Sequence, residues 1–431
     1  MSTVSVSYEE APFGRLHWKV LLGGVFGQYS DGFMLGSIGI ALSLATTELG
    51  LTPWMLGFIG AASLFGLMFG SLFAGPIVDR FGRQAIYQYT MLIFAAVSIL
   101  QYFVSSANQL LALRLLLGLA IGADYAVGVT LVSEWTPLKQ RARALGFMQA
   151  IWAAGYVSAY ITGYFLQEAG WRWILLSCAV PSFISLFVRY GTPESPIWLM
   201  GKNRQADALK VIRTHLGEGY CIPPLPQQTT QLGWKDLFSS RWRTRSLVSG
   251  SFYAFQVIPY FSLSIFLPII FKNFDMEDPY TSGIVFNVFL FAGVMFGTWI
   301  VDKVSRRGFL ISTFYLCALA LLTIIFVPTT SAMAITLLIS VFSFTIAAAS
   351  VLEYAYPPEL FPTEIRGCGI GFTIACSRIG AAGATFLLPT VLDTWGTNAA
   401  LAGCIAALVA GGVICQLFAP ETNKKFLKPQ A

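Results

Sequence analysis

Stretches of roughly 20 consecutive apolar residues recur from one end of this chain to the other, each long enough to cross about 30 Å of hydrocarbon as a helix. In lipid the backbone must satisfy its own hydrogen bonds, which leaves helices or closed barrels. A barrel needs strands that alternate polar and apolar residues, and these runs are apolar throughout. With 11% charged against 56% hydrophobic in 431 residues, the chain cannot clothe a water-exposed surface. The reading is an all-α integral membrane protein with twelve spans. They fall near 18–45, 54–76, 85–104, 109–135, 143–167 and 171–190, then 246–271, 281–301, 308–328, 332–356, 367–392 and 397–419.

Loop charges orient these spans. Arg80, Arg83, Lys139, Arg141, Arg143, Lys303, Arg306, Arg307, Arg366, Lys424 and Lys425 share one side with the central stretch. Glu48, Glu168, Asp275, Glu277, Asp278 and Asp393 lie on the other. The positive-inside bias then predicts a multi-pass plasma-membrane protein, in a bacterium the inner membrane, with both termini cytoplasmic. The polar first 17 residues carry no cleavable signal pattern. A net charge of +6 fits basic loops and predicts no nucleic-acid partner. Seven scattered cysteines and two histidines form no disulfide framework and no metal spacing, so neither metal nor cofactor is expected.

An internal repeat divides the chain. Asp79-Arg80-Phe81-Gly82-Arg83 returns loosely as Asp302 to Arg307, Glu134 to Arg141 as Glu359 to Arg366, and Pro193-Glu194-Ser195 as Pro420-Glu421-Thr422. The offsets are 223, 225 and 227 residues. The expected organisation is a six-helix half at 1–190, a cytoplasmic linker at 191–244 and a second six-helix half at 245–431. The linker's Asn203–Leu216 has an apolar stripe and reads as a surface helix capped by Asn203. Parallel halves of this kind place a substrate site near the midplane between them.

These motifs resemble the major facilitator superfamily over the whole chain. The Asp79–Arg83 loop between spans 2 and 3 is the most specific of them, and Arg114-x-x-x-Gly118-x-x-x-Gly122 adds a weaker match. Pro193–Leu199, Pro358–Gly367 and Pro420–Thr422 resemble the sugar porter branch, bacterial metabolite symporters and synaptic vesicle glycoprotein-like carriers. Phe255-Gln256-Val257-Ile258-Pro259-Tyr260 replaces the sugar porters' Gln-Gln-x-Ser-Gly-x-Asn run, and Gly122-Ala123-Asp124-Tyr125 is similar to the phosphate symporter branch. The resemblance implies the major facilitator fold and transport by alternating access. It also implies that Asp79, Arg80, Arg83, Glu134, Arg141, Glu359 and Arg366 form an inner charge network that gates the cavity, holding the outward-open state.

Charges at bilayer depth cost at least about 2.5–3.5 kcal/mol each, so they persist where they face a cavity or a partner. Asp31, near mid-depth of span 1, and Asp124, at comparable depth in span 4, are the candidates for proton coupling; packing against a polar neighbour or a counter-ion is the structural alternative. Arg378 in span 11 is the candidate anion ligand or, equally, a fixed counter-ion. Glu353, toward the cytoplasmic end of span 10, is a candidate for the cytoplasmic gate or a second titrating site, with a structural role as the alternative, and Arg114 is read as structural. Gln256, Tyr260, Gln149, Trp152, Tyr125 and Gln28 are the neutral candidates to line the site, with Gln256 standing one repeat after Asp31.

The chain thus reads as a proton-coupled symporter, not an enzyme, that imports a small polar metabolite, either an organic anion or a sugar-like compound, and is expected to be a monomer. A proton-driven exporter and a nutrient-sensing receptor stay open, although span 5 lacks the exporters' Gly-Pro element and no long tail follows the last span.

Overall fold

The computed structural model describes residues 6–222, 233–274, 278–326, 332–362, 365–423 and 426, with the side chains of residues 75, 76, 79 and 142 outside that description. Asp79's side chain and the loop charges at 275, 277, 424 and 425 therefore lie outside the described residues. Helices dominate: α1 (Arg15–Glu48), α2 (Pro53–Phe81), α3 (Arg83–Tyr102), α4 (Ala107–Trp135), α5 (Leu138–Leu166), α6 (Trp171–Ser177) and α7 (Ala179–Arg189). Two short helices follow, α8 (Pro196–Gly201) and α9 (Gln205–Leu216). Then come α10 (Arg243–Ile265), α11 (Leu267–Asn273), α12 (Pro279–Ile300), α13 (Arg306–Phe326), α14 (Ala332–Ser350), α15 (Leu352–Leu360) and α16 (Arg366–Phe418).

Twelve passages emerge from these helices. Nine stretches among the described residues are long and apolar enough to span a bilayer, and α10 with α11 makes another, bent by 69°. α16 is two spans joined at Gly396, whose φ of 81° only glycine adopts at little cost. α1, with Gln28, Ser30 and Asp31 in its middle, completes the set. Local chemistry sets the boundaries. Thr52, Ser106 and Asp278 cap α2, α4 and α12 through their side-chain oxygens, and Pro53 and Pro279 stand in the first turns, where a missing N–H costs nothing. At the start of α9 the expectation fails. Asn203 does not cap it but takes a left-handed turn (φ 58°) between α8 and α9.

The bundles pack through small residues. Gly66 and Gly70 of α2 lie against Leu115, Gly118 and Leu119 of α4, and a Cβ on Gly118 would strike the Ser63 carbonyl. The Arg114–Gly118–Gly122 motif is therefore a helix-crossing stripe, the arrangement that lets backbones approach in lipid. One repeat later, Gly293 and Gly297 of α12 meet Phe344, Ala347 and Ala348 of α14 in the same way. At the basic end, Val6–Ser7 pairs in parallel with Tyr220–Cys221, tying the α9 region to the first bundle.

Described side-chain contacts between the bundles lie at the end opposite the basic loops or at mid-depth. Ser43 bonds Tyr280 at 3.2 Å, Trp54 and Phe58 hold Phe386 edge-on with centroids at 4.4 and 4.8 Å, and Tyr160 presses on Gly283. At mid-depth, Tyr125 and Tyr354 share a hydrogen bond of 2.5 Å.

Candidate functional site

Where the bundles meet at mid-depth they enclose a cavity of about 60 Å³. The first bundle contributes Asp31 from α1, Tyr125 from α4, and Gln149 and Trp152 from α5. The second contributes Tyr253, Gln256 and Tyr260 from α10, Ser350 from α14, Glu353 and Tyr354 from α15, and Arg378 from α16. Leu35, Leu67, Ile121, Val257, Phe261, Leu290, Val294 and Ile346 fill the rest of the wall. The volume accommodates a few waters, so a metabolite enters only if the bundles part.

Two charged groups in this cavity, Asp31 and Arg378, are without close carboxylate or cationic partners among the described residues. Both carboxylate oxygens of Asp31, which is fully buried, lack a hydrogen bond. Arg378 is 7% exposed, its Nε has no partner, and among the described residues no salt bridge reaches its guanidinium. The nearest ring, Tyr125, lies 5.9 Å away. Gln256 donates to the Ile346 carbonyl at 3.4 Å, while its oxygen stays unpaired. Buried polar atoms in native folds are nearly always satisfied, so unpaired ones converging on one cavity mark a place for a ligand.

Asp31, Tyr125, Gln149, Trp152, Gln256, Tyr260 and Arg378 come together here as candidates from both bundles. Asp124 and Gln28 do not line the cavity. Asp124 points into the first bundle, where Arg189 of α7 grips both its oxygens and the Thr90 hydroxyl donates to it at 2.7 Å. Both members of that pair are 1% exposed, and Arg189 also donates to the Gly23 carbonyl at 3.0 Å. The counter-ion of Asp124 is thus supplied by α7, not by the cavity or by Arg114. Arg114 is buried and donates to the Met34 carbonyl at 3.3 Å. Gln28 is buried within the first bundle. Glu353 is a further correction: it faces the cavity, beside Tyr253 and Arg378, and not the charged end of the molecule.

Sequence reasoning missed Tyr253, Ser350 and Tyr354 as lining residues and Arg189 as a buried cation. Arg189 sits at the last turn of a span, where an arginine reads as reaching for water; the signal available was an acid with no partner on its own helix. Tyr354 follows Glu353 directly in a helix that Pro357 and Pro358 interrupt, so simple periodicity does not tell which of the two faces inward.

At the basic end, the repeated motifs build two matching clusters. Glu194 accepts the backbone N–H groups of Arg83 and Gln84 at the start of α3, and Glu421 accepts those of Arg306 and Arg307 at the start of α13. The next residue completes the match: Ser195 donates to Glu134 and Thr422 to Glu359. Glu134 pairs with Arg83, and Glu359 with Arg306 at 3.5 Å. Carboxylates at helix N-termini are favoured by the free N–H groups and the helix dipole. Arg80, Arg141 and Arg366 behave otherwise. Arg80 lies over the Phe81 ring, Arg141 pairs with Glu9 at 2.9 Å, and Arg366 donates to the Phe361 carbonyl at 3.1 Å. Among the described residues the charges expected in the inner network form two clusters, each within its own bundle.

The sequence matches the model of the family described as sugar (and other) transporter over residues 23–431. It is 37% identical to the inner membrane metabolite transport protein YgcS of Escherichia coli K12, over 98% of this chain and 96% of that protein. It is 25% identical to the niacin transporter NiaP of Acinetobacter baylyi, over 97% and 98% of the two chains. Among solved structures, the partially occluded inward-open xylose transporter XylE of E. coli superposes with a TM-score of 0.81 at 18% identity, covering 95% of this chain and 99% of that one. A D-xylose–proton symporter superposes at 0.75 with 19% identity over 95% and 99%.

Proposed function

This chain belongs to the sugar (and other) transporter family of the major facilitator superfamily, a multi-pass membrane carrier and not an enzyme, and on that premise we propose that it is a proton-coupled symporter importing a small organic anion. The observation that carries the proposal is Arg378, a permanent cation at mid-membrane with no carboxylate bound to it, opening on a cavity shared by both bundles. Arginine cannot shed its charge and binds carboxylates through two parallel donors. A neutral sugar would make no use of that charge. One relative's name points to niacin and one structural neighbour's to xylose with protons; the unpaired arginine favours the acid.

Asp31 is the proton carrier in this reading. It faces the same cavity with both oxygens free, whereas Asp124 is held by Arg189 and serves the packing of the first bundle. Glu353 and the tyrosine pair Tyr125–Tyr354 form the cavity's other polar wall. The basic end is cytoplasmic by the positive-inside bias. Contacts between bundles then close the outer side, and the clusters around Glu134 and Glu359 brace each bundle at the inner side. Transport follows when the halves rock about the cavity.

Uptake into proteoliposomes under an imposed pH gradient, across a panel of organic acids, sugars and polyols, tests this. Acid uptake driven by the inward proton gradient, lost in Asp31→Asn and in Arg378→Gln, is the expected result. Uptake of a neutral sugar that survives Arg378→Gln removes the anion reading. Gradient-driven efflux with no uptake replaces import by export.

A further inference from the structure

Glu353 and Arg378 line the same cavity from α15 and α16, yet no salt bridge joins them. In a low-dielectric site, opposite charges that can close on each other gain by doing so. Here they remain apart with the cavity open to both. The Tyr253 hydroxyl reaches Glu353, and the Tyr125 ring lies 5.9 Å from the Arg378 guanidinium. Trp152, Tyr260 and Tyr354 complete an aromatic enclosure. Arg378 thus suits a carboxylate, and Glu353 among these rings suits a cation, which gains from a carboxylate and from aromatic faces together.

We propose that the substrate is a small zwitterion, its carboxylate held by Arg378 and its ammonium group held by Glu353 and Tyr253. This rests on the reading of Arg378 as the ligand of an organic acid's carboxylate and narrows that acid to one that also carries a cation. Charge counting supports the choice. A proton on Asp31 neutralises that group, and Glu353 balances Arg378. A zwitterion adds no net charge, so the loaded cavity crosses the membrane neutral apart from its internal pairs. A simple anion would compete with Glu353 for Arg378 and leave one carboxylate uncompensated, a state that low-dielectric surroundings penalise.

Three compounds of one shape read this directly: para-(aminomethyl)benzoate, a zwitterion; para-ethylbenzoate, an anion; and para-methylbenzylamine, a cation. Glycine betaine and carnitine extend the zwitterion arm without a ring. Binding to the purified carrier is measured by thermal stabilisation and by calorimetry. At least one zwitterion is expected to bind about tenfold or more tighter than the anion and the amine, the scale of one charge-assisted contact. Glu353→Gln abolishes that preference, leaving zwitterion and anion alike, while Arg378→Gln weakens both. Equal or tighter binding of the anion, a preference that survives Glu353→Gln, or no binding by any zwitterion overturns the proposal. Zwitterion-selective binding without gradient-driven uptake in vesicles would instead leave the substrate class standing and remove the symport reading.

Discussion

Arg189 and Asp124 illustrate what a single buried residue decides. Each is 1% exposed, and the arginine also bonds the backbone of α1 and lies over the Tyr87 ring at 3.7 Å. Removing one partner of such a pair strands a charge, at a cost of about 3–5 kcal/mol. Arg189→Met should therefore lower the melting temperature sharply, and Asp124→Asn on top of it should restore part of the loss. A double variant no more stable than Arg189→Met would show that the ion pair contributes little. A milder, pH-dependent effect belongs to Glu421. Burial raises its pKa, but the Ser305 hydroxyl and the backbone N–H groups of Asn423, Arg306 and Arg307 outweigh that and hold it below the usual glutamate range. A carboxylate whose folded pKa is depressed stabilises the fold above its unfolded value, about 4.3, and loses that contribution as pH falls toward the folded one. The stability gap between wild type and Glu421→Gln should be full at neutral pH and shrink below about pH 4.3. A gap independent of pH would mean that Glu421 acts through something other than its charge.

Among elements, the α2–α4 crossing is the most sequence-dependent. A side chain on Gly118 meets backbone, which cannot step aside, and the Gly66 Cα lies 2.9 Å from where its Cβ would stand. Gly118→Val should destabilise by about 1–3 kcal/mol, the usual penalty of overpacking. Gly403, in the last span, has open space where a Cβ would go. Gly403→Ala should leave the melting temperature unchanged or slightly raised, since alanine is the better helix former. Equal effects at the two positions, read by thermal unfolding in detergent, would contradict the crossing. The repeat explains why Gly293 and Gly297 recreate the geometry in the second bundle, although the charged motifs that define the repeat do not include these glycines.

For the whole molecule, the end that carries Ser43, Trp54 and Phe386 is where the bundles touch. If the halves must separate there during each cycle, covalent closure should stop transport. Ser43→Cys with Tyr280→Cys, made after replacing the seven native cysteines and bridged by a short bifunctional methanethiosulfonate, should lose uptake on cross-linking and regain it on reduction. Full uptake by a completely cross-linked sample would exclude rocking about this contact.

The amino-acid sequence by itself determined that the chain spans a membrane twelve times in two related halves. Span length, backbone hydrogen bonding and repeated loop charges are local properties, and they hold whatever the tertiary contacts. It also marked Asp31 and Arg378, because a charge inside an apolar run is conspicuous at any packing angle. Only the tertiary structure decided which of those charges are satisfied. Asp124 and Asp31 look equivalent along the chain; α7 brings Arg189 to the first and nothing to the second. Glu353 reads as a loop-end charge until the rotation of α15 turns it into the cavity. A buried charge is costly or useful according to what stands within a few ångströms, and that distance is set by how helices distant in sequence cross.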